Sequence, residues 1–327
     1  MSEFNRSKSL YKLISFIIPV YRNKGSIEIT CSEIENIFVQ FSDRFEYQIV
    51  IVNDGSDDGS WEEILMLQQK SKRIIALSFT RNFGQVAAVV AGLKRCTGDA
   101  AIIMSADLQD PFNMISEMIH AWLANFNIVI CHRIDREDSA MNKLSSKLFY
   151  SLIRITNKNM PRGGFDYLLL DRKAIDIFNS IDERNRFFQG DILWMGLNMK
   201  FLPYKRQSRT VGKSQWDFKK KVKYLIDGAL NTSYLPIRFM SLLGLIFSVL
   251  GFVYAGMVAY ARFVNKVPFK GYAPIVILIL IIGGIVMLML GIIGEYLWRI
   301  YDETRKRPLY IIKDEVYNVE EKIESQS

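Results

Sequence analysis

The sequence predicts an α/β domain built on a mostly parallel sheet with helices on both faces, followed by a hairpin of two membrane-spanning helices. Three observations carry this expectation. Short, continuously apolar runs alternate with helix-length amphipathic segments over residues 13 to 133. Two uncharged stretches, residues 239–261 and 271–294, are each long enough to cross a bilayer, which needs about 20 apolar residues in a helix. Basic residues flank the pair of stretches on the outside and are sparse between them.

The strand-like runs are 13–20, 47–52, 74–79, 100–104 and 128–131, and segments such as 26–41 and 84–96 lie between them. Strands apolar along their whole length are buried on both faces, which is the mark of a parallel sheet covered by helices. The apolar stretch LISFIIPV follows basic residues, as a signal peptide would. It lacks a small-residue cleavage site and runs directly into Tyr21-Arg22-Asn23, so it reads as a buried first strand. Before the first span stand Lys219, Lys220, Lys221 and Lys223, and Arg305, Lys306 and Arg307 follow the second. The connecting loop has only Arg262, Lys266 and Lys270, so the positive-inside rule puts both termini in the cytosol. The expected division is 1–236 for a catalytic domain with interfacial helices and 237–298 for the hairpin (spans at about 239–261 and 272–294). A cytosolic tail, 299–327, follows. In Met141–Ile155, Leu144, Leu148, Leu152 and Ile155 share one face, the pattern of a helix lying in a membrane interface.

Composition narrows the chemistry. The 327 residues carry 42 Lys+Arg against 34 Asp+Glu, a net charge of +8, and half are hydrophobic, so the chain is not disordered. Three widely spaced cysteines, Cys31, Cys96 and Cys131, suit a reducing compartment rather than a disulfide scaffold. With His120 and His132 as its only histidines, the chain offers neither a His-rich zinc site nor a serine–histidine triad. The first strand is not followed by G-x-G-x-x-G, and there is no G-x-x-x-x-G-K-[ST], which argues against a dinucleotide dehydrogenase and a P-loop NTPase.

In a parallel α/β sheet the ligand lies beyond the carboxyl ends of the strands. Here those ends carry Pro19 and Tyr21 with Asn23, then Asp54, then Arg81 and Asn82, then Ser105, Ala106 and Asp107. Asp54 closes a strand at VNDGSDDGS, where a carboxylate can accept hydrogen bonds from a base or ribose, while Asp57 and Asp58 read as caps of the next helix. Asp107, with Gln109 two residues on, is placed to hold one Mg²⁺ or Mn²⁺ shared with a diphosphate. Asp110-Pro111 reads as a helix start.

Seven stretches in order, IPVYRN, IVNDGSDDGS, LSFTRNFGQVAAVVAGL, SADLQDP, GGFDYLLLDR, ERNRFFQG and GIIGEYLWRIYDETRKRPLYII, resemble the family 2 glycosyltransferases, specifically the polyprenyl-phosphate branch that includes bactoprenol glucosyltransferases. The resemblance implies an A-type, Rossmann-like nucleotide-sugar fold, a divalent ion, and inverting transfer from a nucleotide-sugar, a UDP-sugar by expectation, to undecaprenyl phosphate. The product would be a lipid-linked sugar for cell-surface polysaccharide or O-antigen modification. It also implies an enzyme of the bacterial inner membrane with no nucleic-acid partner. Two departures stand out. The metal motif is usually Asp-x-Asp but begins here with Ser105, and Tyr21 is followed by Arg22-Asn23 where Asn-Glu is usual.

By the same resemblance Asp166 orients the sugar or acts as base, and Arg209, Lys213 and Ser214 of RTVGKSQW meet phosphate oxygens. A polyprenyl phosphate is already anionic, so the reaction calls for cations and positioning rather than a general base, and Arg133 and Arg136 add to the cationic set. Asp171 reads as the cap of the following helix. Gly283, Gly284 and Gly291 permit close helix approach and hence a homo-oligomer. Two other readings are a catalytically weakened nucleotide-sugar-binding subunit, for which Ser105 speaks, and a processive polysaccharide synthase. The synthase motif Gln-x-x-Arg-Trp is absent.

Overall fold

The computed structural model describes residues 11–133, 160–161, 164–205, individual positions between 242 and 260, and 273–317. It separates into two units. One comprises the sheet and its helices together with the segment after residue 307, and the other is helical.

The sheet unit contains the five expected strands: β1 (Lys12–Val20), β2 (Phe45–Asn53), β3 (Ile74–Phe79), β4 (Ala100–Ile103) and β5 (Ile128–Arg133). Helices α1 (Ile27–Phe38), α2 (Ser60–Lys70), α3 (Gln85–Arg95) and α4 (Met114–Leu123) connect them. Next come β6 (Tyr167–Asp171), α5 (Arg172–Ser180), α6 (Phe188–Trp194) and β7 (Met199–Tyr204). Strand β8 (Ile312–Val316) completes an eight-stranded sheet of order β7-β5-β6-β4-β1-β2-β3-β8.

Side chains of β1 alternate between two cores. Ile17 packs with Val50, Val52 and Leu77 beneath α3 and α5, whereas Ile14, Phe16 and Ile18 pack with Ile49 and Ile51 beneath α1 and α4. Burial on both faces accounts for the unbroken apolar runs. Gly92 of α3 lies so close to β1 that a Cβ there would meet the Ile17 side chain. The Asp171 carboxylate accepts from the Ala174 N–H at 2.7 Å, the capping role expected of it.

The sheet is more mixed than the alternation alone suggests. Strand β6 is antiparallel to both β4 and β5 and stands between them, and β7 pairs parallel with β5. Strand β8 lies in the segment expected to be a plain tail, and it runs antiparallel along β3. Tyr310 stacks on Phe79 (centroids 4.9 Å apart, planes at 13°), the Thr80 N–H donates to the Ile311 carbonyl, and Arg95 pairs with Glu315.

In the helical unit, α7 (Ala273–Thr304) runs ten residues past the end expected for the second span. Its segment Ile281–Thr304 is the one helix among the described residues long and apolar enough to cross a membrane, and none of that segment is buried. The described positions between 242 and 260 are helical and expose Leu242, Phe247, Phe252 and Met257. The stretch 141–155, expected to be an interfacial helix, lies outside the described residues.

Candidate active site

Three loops follow the carboxyl ends of β1, β2 and β3. After Pro19 and Val20, the Tyr21 N–H donates to Asn23 Oδ1 (3.1 Å), and the Asn23 N–H donates to Ser60 Oγ (3.1 Å) at the start of α2. Arg22, with φ +55, directs its guanidinium onto both oxygens of Asp57 at 2.7 Å. Asp57 therefore answers Arg22 rather than capping α2, and Asp58 takes the capping task by accepting from the Ser60 N–H. The ion pair with Arg22 holds the Asp57 carboxylate below the usual range.

Asp54 is engaged by the backbone of a neighbouring loop. The residue is buried, its Oδ1 accepts from the Phe83 N–H (2.6 Å) and its Oδ2 from the Gly84 N–H (2.9 Å). These amides precede α3, whose N-terminus attracts a carboxylate. The side chain thus fastens the loop that carries Arg81 and Asn82. Gly55, with φ +67, lets that loop approach, since a Cβ there would collide with the Arg81 carbonyl carbon. The Arg81 guanidinium lies over the Phe83 ring at 4.3 Å.

The loop after β4 carries Ser105, Ala106, Asp107 and Gln109. Ala106 and Asp107 are buried, and Leu108 turns the backbone with φ +59. The Asp107 N–H faces Ser105 Oγ at 3.4 Å, and Asp107 Oδ1 accepts from the Gln109 N–H at 3.3 Å. Asp110 does not begin a helix, since α4 starts at Met114 behind Asn113. Its Oδ2 accepts from the Ser105 N–H (2.9 Å) and its Oδ1 from the Tyr204 hydroxyl (3.3 Å). Burial, reinforced by the charges of Asp166 and Asp107, pushes the Asp110 carboxyl up to about 7.

Asp166 stands just before β6, held by Arg133, whose Nη2 reaches both carboxylate oxygens at 2.8 and 2.7 Å. Arg133 Nε also donates to the Tyr204 oxygen at 3.3 Å. Burial opposes the charge on Arg133, but Asp166, Tyr204 and Asp110 together outweigh it and favour the charged guanidinium. The Arg133 side chain, expected to meet a lipid phosphate, is largely buried and turned onto Asp166 and Tyr204. Arg136, Arg209, Lys213 and Ser214 lie outside the described residues.

The structure thus brings Ser105, Asp107 and Gln109 into one loop and adds Asp110 and Tyr204, which the sequence reading did not place in the site. The Asp-Pro pair disguised Asp110 as a helix start. Tyr204 had no local signal, because its partner Asp110 is 94 residues away. The carboxylate, hydroxyl and amide oxygens of Asp107, Ser105 and Gln109 are hard donors suited to Mg²⁺ or Mn²⁺. Among the described residues no group of three or more His, Cys, Asp or Glu could hold a metal. The donor set fits an ion shared with a ligand's diphosphate.

The glycosyl transferase family 2 model matches residues 15–178. The prophage bactoprenol glucosyl transferase homolog of Escherichia coli (strain K12) is 33% identical over 305 residues, covering 92% of this chain and 98% of that protein. The bactoprenol glucosyl transferase of Shigella phage SfX is also 33% identical, with the same coverage. The putative glycosyltransferase CsbB of Bacillus subtilis (strain 168) is 34% identical over 92% of each chain. Among solved structures, glucosyl-3-phosphoglycerate synthase from Mycobacterium tuberculosis, crystallised with Mn²⁺, UDP-glucose and phosphoglyceric acid, shares the fold with a TM-score of 0.50. It is 14% identical, over 68% of this chain and 79% of that one.

Proposed function

This chain belongs to glycosyl transferase family 2, and from that premise we propose that it transfers a sugar from a nucleotide-sugar, a UDP-sugar in our reading, to undecaprenyl phosphate at the cytoplasmic face of a bacterial inner membrane. The observation that carries this reading is the extent of the likeness. Identity to bactoprenol glucosyl transferases runs over 92% of the chain, and so takes in apolar segments outside the nucleotide-sugar fold.

In the proposed reaction an oxygen of the lipid phosphate attacks the anomeric carbon, the bond from that carbon to the diphosphate breaks, and the nucleotide diphosphate leaves with the bonding pair. The configuration inverts. The attacking oxygen is already ionised, so no side chain has to remove a proton, and Asp166 is assigned the task of orienting the sugar. Arg133 fixes Asp166 for that purpose through the contact of its Nη2 with both carboxylate oxygens. Pro19, Tyr21, Asn23, Arg81 and Asn82 would line the donor side, with Asp54 acting through the loop it holds. Asp107, Ser105 and Gln109 would hold Mg²⁺ or Mn²⁺, which offsets charge on the departing diphosphate. Arg136, Arg209, Lys213 and Ser214 are proposed to receive the acceptor phosphate. The proposed topology has two spans, near 239–261 and along α7, with both termini cytosolic and the catalytic domain at headgroup level. A glycine-lined contact at Gly283, Gly284 and Gly291 would make a homo-oligomer, and the lipid-linked sugar would supply cell-surface polysaccharide or O-antigen modification.

The test is a donor panel offered to the purified full chain with undecaprenyl phosphate, with and without Mn²⁺. One nucleotide-sugar should label the lipid fraction, and Asp107→Ala and Arg209→Ala should each lower the rate by about 100-fold. Equal transfer to a free hydroxyl, or unchanged rates in both variants, would refute the reading.

A further inference from the structure

Strand pairing aligns β4 with β6 only from Ala100–Asp171 to Ile103–Leu168. Beyond Ile103 the chain enters the loop of Ser105 and Asp107, and before Leu168 it carries Asp166. The two groups assigned to diphosphate and sugar thus both lie where the ladder has ended. Hydrogen bonds continue the alignment past that point. Asp110, 2% exposed, accepts from the Ser105 N–H (2.9 Å) and from the Tyr204 hydroxyl (3.3 Å). The Tyr204 oxygen, at the end of β7, accepts from Arg133 Nε (3.3 Å), and Arg133 grips Asp166. A second tie runs beside the first. The Tyr167 hydroxyl, one residue after Asp166, donates to the carbonyl of Pro111, one residue after Asp110, at 3.3 Å. The Tyr167 and Tyr204 rings meet edge to face at 6.0 Å.

We propose that Asp110 and Tyr204 are positioning residues for the sugar transfer, fixing the separation between the Ser105–Asp107 loop and Asp166. Buried polar networks of this kind hold a single arrangement when every member is partnered. Displacing reacting groups by 1 Å lowers a rate by as much as about 100-fold. The inference rests on the reaction proposed above, so its test must separate the two.

The full chain, in detergent with undecaprenyl phosphate, is compared with Tyr204→Phe, Asp110→Asn, Asp166→Asn and the double variant Tyr204→Phe/Asp166→Asn. Tyr204→Phe removes only a hydroxyl, and Asp110→Asn keeps an acceptor for the Ser105 N–H. Transfer kcat, donor KM, acceptor-free donor hydrolysis and Tm are measured for each. Tyr204→Phe is expected to lower kcat about ten-fold with donor KM within about two-fold, and Asp110→Asn less. Because both changes break one linkage, the double variant should be no worse than Asp166→Asn alone. Losses that multiply overturn the proposal. So does a Tyr204→Phe protein with unchanged kcat per folded molecule, whatever its Tm. If the wild type labels no lipid, the reaction reading fails, and the same cycle read on donor hydrolysis still decides whether Tyr204 acts through Asp166.

Discussion

Replacing Asp54 by alanine separates two accounts of this carboxylate. In the structure it accepts two backbone N–H groups, from Phe83 at 2.6 Å and Gly84 at 2.9 Å, while itself 3% exposed. A hydrogen bond to a charged group contributes about 1.5–3 kcal/mol net, so losing two gives roughly 3–6 kcal/mol. For domains of 150–250 residues each kcal/mol lowers Tm by about 2–4 °C, which puts the drop at roughly 6–24 °C. Asp54→Asn keeps one acceptor but turns an amide donor toward the other N–H, so about half that drop is expected. Thermal unfolding followed by intrinsic tryptophan fluorescence, alongside nucleotide-sugar titration below the transition, reads both quantities. If Asp54→Ala kept the wild-type Tm and lost nucleotide affinity by about 100-fold, the carboxylate would be a ligand contact, and the loop-fastening account would be wrong.

Gly55→Ala should lower Tm by several degrees, because it drives a Cβ into the Arg81 carbonyl carbon at a φ of +67; a Tm within about 1 °C of wild type would contradict that crowding. Tyr310→Ala removes the ring stacked on Phe79 and should destabilise the sheet unit by about 2–4 kcal/mol in denaturant unfolding, whereas a tail free of the sheet would give almost nothing. Burial pushes the Cys31 thiol up to about 12 and raises Cys96 and Cys131 as well, so all three stay protonated at pH 8. Mass spectrometry after iodoacetamide treatment should find them unmodified in the native chain and alkylated in urea.

The central strands were legible because burial on both faces leaves an unbroken apolar run, as in Ile14–Ile18 or Ile49–Val52. Edge strands obey a different rule. IKDEV of β8 is mostly charged and MKFLPY of β7 contains a proline, the features that keep a sheet edge from pairing with other chains, and they resemble loop composition. Asp107 and Asp166 are singled out by their motifs, and the capping role of Asp171 was legible from its place before a helix. The inward turn of Asp54 was not, since it depends on amides 29 and 30 residues away. Arg133 had the same difficulty: its charge suggested phosphate, but the distance to Asp166 is set only when β5 and β6 pair.

The pairing of β8 with β3 orders events during synthesis. Ribosomes deliver Phe79 early, yet its ladder partner Ile312 emerges only after the apolar helices have left the exit tunnel. Throughout that interval one flank of the nascent sheet presents bare amides and carbonyls to whatever else is nearby. A fragment truncated at residue 307 would keep that flank bare permanently and should clump when expressed, even though every residue assigned to catalysis would still be present.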